Sequence, residues 1–391
     1  MARRMFSSRL HWDLRPNQLA QVLSGLRRQR IEILDLTESN PTRAGFSYPE
    51  DLILGAFRDP RSLVYDPAPA GMRRAREVVA AYYSARGFVI DPANIFLSTS
   101  TSESYGWLFK LLADAGDEVL VPRPSYPLFE YLAQMELVRV GQYPLVYNGG
   151  WAIDVDALTR AITSRTRAIV LVNPNNPTGS FVKRGELERI VELCATRELA
   201  LVSDEVFADY RFGPDPERVS SLAGIDQVLT FSLSGLSKIA GLPQMKLGWI
   251  VLGGPPALRS EALERLELIA DTYLSVGTPV QHALARLIEA GDAMRQQISA
   301  RVAASLGALR DRLDESSGAR VLQVEGGWYA TLRVPRTKSE EQWCLDLLQQ
   351  DHVLVQPGFF YDFETEAYLV LSLLTPPDVF HEGTRRLMAR L

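Results

Sequence analysis

Between about residue 72 and residue 253 the chain alternates short apolar runs with helix-patterned segments, and nothing else restricts its fold as much. NIFLST (94–99), EVLVP (118–122), the run 137–143, AIVLV (168–172), LALVSD (199–204), VLTFSL (228–233) and LGWIVLG (247–253) have the length and branched content of strands. RRAREVVAAYYSARG (73–87), SESYGWLFKLLADAG (102–116) and the stretches 127–136, 155–163 and 184–197 have helical spacing. Strands separated by helices predict an α/β domain with a mostly parallel sheet, whose ligands bind at the strands' carboxyl ends. Before this region, 17–30 reads as a helix and 34–42 as a strand running into a loop. After it, a long helix is predicted over 279–314, with Leu284, Leu287, Met294, Ile298 and Val302 on its apolar face. Residues 321–391 mix strands (VLQVEGGWYATLRV, VLVQP, AYLVLSLL) with helices, which suggests a smaller α+β domain.

A chain of 391 residues suggests about two domains. The net charge of −5 argues against a nucleic-acid partner. The longest apolar runs fall far below the ~20 residues of a membrane helix. The N-terminal MARRMFSSRLHW lacks the apolar core of a secretion signal. Cys194 and Cys344 sit in helix-like segments outside any CxxC pair, which fits packing roles in a reducing cytoplasm. His11, His282, His352 and His381 show no metal-ligand spacing, so no metal site is expected.

Five loops at strand ends carry the chemistry. STSTSE (98–103) pairs Ser100 with Glu103 as a capping box, and its hydroxyls at a helix start could seat a phosphate. PRPSYPLF (122–129) holds Tyr126 among prolines, to stack on a flat ligand or to pack the core. NPNNPTGS (173–180) demands an unusual backbone, with a cis X–Pro bond among the possibilities, and offers the Asn176 amide. SDEVFADY (203–210) ends an apolar strand on Asp204, either a carboxylate awaiting a cation or a helix cap. SLSGLSKIAGLPQMKLGWIV (232–251) carries Lys238 and, eight residues on, Lys246. Only five of the 42 basic residues are lysines, so 37 are arginines, and a lysine kept here suggests amine chemistry. An amine that forms a Schiff base needs a lowered pKa, which a guanidinium cannot supply.

Taken in order, STSTSE, PSY, NPNNPTG, SDEVF and LSK with a basic residue eight on resemble the class I/II aminotransferases, fold-type-I enzymes that use pyridoxal 5′-phosphate. The resemblance spans roughly residues 32–375. It implies a large domain at 45–280 built on the mostly parallel sheet. It also implies a linking helix with a small α+β domain at 281–391, and an N-terminal segment, 1–44, that packs with the latter. Lys238 is then the lysine that forms the internal aldimine and later moves the substrate proton. Asp204 pairs with the pyridine nitrogen, Asn176 bonds the ring oxygen and Tyr126 stacks on the ring. Ser100, Thr101, Ser102, Ser237 and Lys246 surround the phosphate. Tyr65, in LVYDPAPAG, matches a tyrosine that reaches the phosphate of a neighbouring subunit, which implies a homodimer. The activity implied is transfer of an amino group from a small-molecule donor to a keto acceptor by a ping-pong route.

The chain departs from the family pattern at four positions. Ser100 stands for a glycine, and Lys246 for an arginine in the phosphate role. Phe207 stands for a tyrosine that would bond the ring oxygen. Aligning on Ser372 puts Val370 where an arginine grips the substrate α-carboxylate; Arg43, Arg123 and Arg333 are the other candidates for that grip. The loss of this arginine keeps a lyase or decarboxylase of the same fold as the alternative reading, with a cofactor-binding sensor behind it.

Overall fold

The computed structural model describes residues 5–313, 318–365 and 367–391. The first four residues of the arginine-bearing start, and residue 314 at the end of the expected long helix, lie outside these. In chain order the strands are β1 (Leu34–Asp35), β2 (Ile95–Ser98), β3 (Glu118–Arg123), β4 (Arg139–Tyr147), β5 (Trp151–Ile153), β6 (Thr166–Val172), β7 (Ala200–Asp204), β8 (Thr230–Gly235), β9 (Gly248–Gly253), β10 (Arg320–Val321), β11 (Tyr329–Arg333), β12 (Val353–Leu354), β13 (Gln356–Pro357) and β14 (Tyr368–Ser372).

The large sheet has eight strands in the order β2-β9-β8-β7-β6-β3-β4-β5. The β8, β7, β6, β3 and β4 neighbours pair in parallel, whereas β9 is antiparallel to β2 and β8, and β5 to β4. Both faces are covered, so the strands read as continuous apolar runs rather than alternating ones; Thr230–Gly235 and Gly248–Gly253 are buried throughout. Because β3, β6, β7 and β8 run the same way, their carboxyl ends line one edge. That edge therefore gathers the loops carrying Tyr126, Asn176, Asp204 and Lys238.

A second sheet, β10-β11-β14-β13, is antiparallel and follows the long helix. That helix, Thr278–Asp311, joins two cores. Leu284 and Leu287 pack with Trp249 and Leu236 under the large sheet, while Ile298, Val302 and Leu306 pack with Trp328 and Leu371. β1 pairs in parallel with β12, which ties the N-terminal segment to this second core.

The structure differs from the sequence reading at several points. Of the strand running into a loop expected over 34–42, only two residues are strand, because Asp35, Glu38 and Asn40 each bond the backbone two residues on and bend the chain. VLQVEGGWYATLRV breaks into β10 and β11, since Gly327 takes a φ of 82°. The helix Pro256–Tyr273 has no counterpart in the sequence reading; it buries only the narrow stripe Ala262, Leu266 and Ala270, too little to mark a periodic apolar face.

Candidate active site

Each functional side chain is placed by a strand end. β2 ends at Ser98 and the chain turns into the helix Thr101–Leu112. Ser100 caps it, accepting from the Glu103 N–H at 3.2 Å. The return half of the capping box is displaced by one residue: Glu103 takes the N–H and hydroxyl of Thr99 at 2.7 and 2.9 Å. The first turn of the helix thus keeps open N–H groups beside the hydroxyls of Thr101 and Ser102, an arrangement suited to an anion.

The NPNNPTG loop divides its asparagines by role. Asn173 bonds the Val219 carbonyl and the Val182 N–H. Asn175 donates to the Pro124 carbonyl at 3.0 Å and accepts from Ser125 at 3.1 Å, which locks this loop to the one carrying Tyr126. Both loops use cis X–Pro bonds, at Arg123–Pro124, Asn173–Pro174 and Asn176–Pro177. Gly179 has a φ of 69°, and a Cβ there would stand 2.5 Å from the Gly326 carbonyl oxygen, so no other residue fits. Asn176 is left over: it is buried, and its Oδ1 has no partner.

At the end of β7, Asp204 accepts from the Val206 N–H and from the Tyr105 hydroxyl, each at 3.2 Å. Burial pushes its pKa up to about 6, against the pull of those two bonds and of the Lys238 charge. Lys238 follows β8 in a single helical turn, and its carbonyl accepts from the Tyr210 hydroxyl at 2.6 Å. Burial lowers its amine to about 8, although Asp204 pulls the other way. A buried acid and a buried amine, each displaced toward neutrality, share one cavity of about 320 Å³.

Ser100, Thr101, Ser102, Tyr126, Asn176, Asp204, Ser237 and Lys238 all line that cavity, so residues 138 positions apart converge there. Two residues from the sequence reading do not. Lys246 is exposed, at a φ of 49° after the turn Pro243–Met245. Tyr65 is 74% exposed and lines a separate hollow with Asp66 and Gln281. The reading also missed Tyr105, Ser39 and Tyr329, which line the cavity. Only Tyr105 had a signal, one helical turn after Thr101 on the same face. Ser39 and Tyr329 arrive from the N-terminal segment and from β11.

Val370 is fully buried among Leu322, Tyr361 and Phe363 and does not reach the cavity. Arg123 is held by the Asp362 carbonyl and Glu364, while Arg43 and Arg333 are exposed. Among the described residues, Lys238 is the one cation in the cavity wall.

The family described as aminotransferase class I and II matches residues 49–379. The chain belongs to the class I and II aminotransferases. It is 26% identical over 370 residues to the glutamate-pyruvate aminotransferase AlaA of Haemophilus influenzae, covering 93% of this chain and 91% of that one. It is 28% identical over 362 residues to the alanine aminotransferase of Mycobacterium tuberculosis, covering 90% and 84%. An aminotransferase from Escherichia coli has the same fold, with a TM-score of 0.87 at 24% identity over 99% and 98% of the two chains. As a class I and II aminotransferase the protein is a transaminase that uses pyridoxal 5′-phosphate, and the lyase alternative is not favoured. The cavity fits that cofactor: its wall joins an orphaned buried amide oxygen, a carboxylate, an amine and hydroxyls at a helix start.

Proposed function

We propose that this aminotransferase holds pyridoxal 5′-phosphate in the cavity of Lys238, Asp204 and Asn176, and uses it on amino acids and keto acids in alternation. When bound, the cofactor supplies an aldehyde carbon and an electron-withdrawing ring. Lys238, with its pKa lowered to about 8, has enough free base near neutral pH to act as nucleophile and then to carry a proton at the substrate carbon. Asp204 holds the proton on the ring nitrogen, a cationic partner that offsets the cost of the buried carboxylate. Asn176 bonds the ring oxygen, and Tyr126 covers the ring. Ser100, Thr101, Ser102 and Ser237 take the phosphate; Lys246, which the family pattern adds to that role, stands exposed outside the cavity wall. The donor leaves as a keto compound before the acceptor enters, so one pocket serves both.

The names of the relatives at 26% and 28% identity support small α-amino acids and their keto acids as substrates. A homodimer is supported by the exposure of Leu63 (90%), Val64 (65%) and Tyr65 (74%), an apolar patch that carries the tyrosine expected at a neighbour's phosphate. We place the three parts of the chain at 1–44, 45–280 and 281–391, a division supported by the two cores that the long helix joins. Two buried free cysteines support a cytoplasmic setting, and among the described residues no helix is long and apolar enough to cross a membrane.

The convergence of Lys238, Asp204 and Asn176 carries the reading. Borohydride reduction of the cofactor-loaded protein, followed by peptide mapping, should fix the coenzyme on Lys238. Label elsewhere, or none, overturns the assignment. Alanine and glutamate as donors with pyruvate as acceptor test the substrate class.

A further inference from the structure

Lys238 does more than point into a cavity. Its Nζ lies 4.8 Å from the centre of the Trp328 ring and 5.4 Å from that of Phe207. Trp328 is fully buried and meets Phe207 and Tyr210 edge-on, with centroids 5.2 Å apart in each pair. Tyr210 in turn donates to the Lys238 carbonyl at 2.6 Å. The indole is fixed from behind: the Gly327 N–H donates to the Tyr210 carbonyl at 2.8 Å, and the Leu373 N–H to the Trp328 carbonyl at 2.8 Å. At Gly326 a Cβ would stand 2.3 Å from the Tyr210 oxygen, so the turn that delivers Trp328 tolerates no side chain there. Two aromatic faces, one from the segment after β7 and one from the turn just before β11, thus border the amine.

We infer that Trp328 is a positioning residue for Lys238: its indole face, with Phe207, seats the lysine ammonium whenever the amine is not bonded to the coenzyme. The inference rests on the proposed role of Lys238 and adds a residue from the turn leading into the C-terminal sheet to it. An ammonium is attracted by the negative face of an aromatic ring, and indole attracts it most. Burial alone would drive the amine to its neutral form and leave its position loose. The rings favour the charged form and give it a fixed place, where the Asp204 charge also acts on it. The ionisable groups that share its cavity are Asp204 from β7, Tyr105 from the helix Thr101–Leu112, Tyr126, and Tyr329 from β11.

The test is competitive acetylation of the full-length, cofactor-free protein across a pH series, with Lys238 followed by mass spectrometry. Trp328→Leu keeps the wall apolar but removes the ring; it should lower the apparent pKa of Lys238 by about half a unit or more. Trp328→Phe should retain most of the wild-type value. Phe207→Leu, on the opposite ring, should shift it in the same direction and serves if Trp328→Leu does not fold. A purely structural role would lower the melting temperature and leave the lysine titration where it was. An unchanged or raised pKa in the leucine variants overturns the inference. Because no coenzyme is present, the result stands apart from the borohydride mapping, whose failure would instead remove the proposed role of Lys238.

Discussion

The Tyr105 hydroxyl donates to Asp204 Oδ2 across 3.2 Å, from a helix to the end of a strand 99 positions later. Tyr105 is buried, and burial together with the Asp204 charge holds its phenol well above the usual range, so it acts only as a donor at working pH. Tyr105→Phe should leave the carboxylate with one bond fewer. Equilibrium dialysis should show the coenzyme held about fivefold more weakly, the worth of one hydrogen bond of ~1 kcal/mol. Unaltered retention would mean that the Val206 N–H alone orients the acid.

Asp204 also makes stability depend on pH. Its folded pKa, about 6, lies above the ordinary 3.8, so the folded chain holds the proton more tightly than the unfolded one. That contribution is complete below the unfolded value and is lost as pH rises through about 6. Without cofactor, Asp204→Asn should therefore be more stable than wild type at pH 8, by about 3 kcal/mol, with the gain vanishing toward pH 4. Calorimetry of both proteins across this range checks the sign. A variant that is less stable at every pH would contradict it.

Phe207 is buried, faces the cavity and offers it carbon alone. Phe207→Tyr adds a donor at that wall, which should favour the deprotonated form of the bound coenzyme. The pH midpoint of the visible absorbance of the loaded enzyme should fall, on the order of one unit. An unmoved midpoint would place the new hydroxyl outside hydrogen-bonding reach.

Val370, aligned on Ser372 with the family's arginine, is fully buried and paired with Thr331 and Gln356 across its sheet. Val370→Arg should therefore destabilise the fold rather than build a carboxylate grip, at a cost of ~3 kcal/mol or more for an unpaired buried cation. Urea unfolding should show a lower midpoint. A stable variant with improved turnover of amino acids would show that the strand can turn its side chain toward the cavity.

Much of the site was legible because its residues lie in loops whose composition has little other use. NPNNPTG, STSTSE and the rare lysine after VLTFSL are local signals, and parallel strands bring their carboxyl ends together whatever the details of packing. The helix Pro256–Tyr273 was not legible, because its buried stripe is only three small or aliphatic side chains wide. Nothing local in the sequence ties Tyr105 to Asp204; their bond forms only once the fold brings the end of β7 to the helix Thr101–Leu112.

Local sequence alone determined the alternating α/β pattern, the loops that meet at one sheet edge, and the amine, acid and amide found there. Each depends on periodicity, turn chemistry or residue type, which act over a few neighbours. The tertiary structure decided what surrounds them: Trp328 and Tyr329 arriving from a separate sheet, Val370 turned into the core, and the displaced pKa values of Asp204 and Lys238. These depend on burial and on contacts between positions about a hundred residues apart, and no short window of sequence contains them.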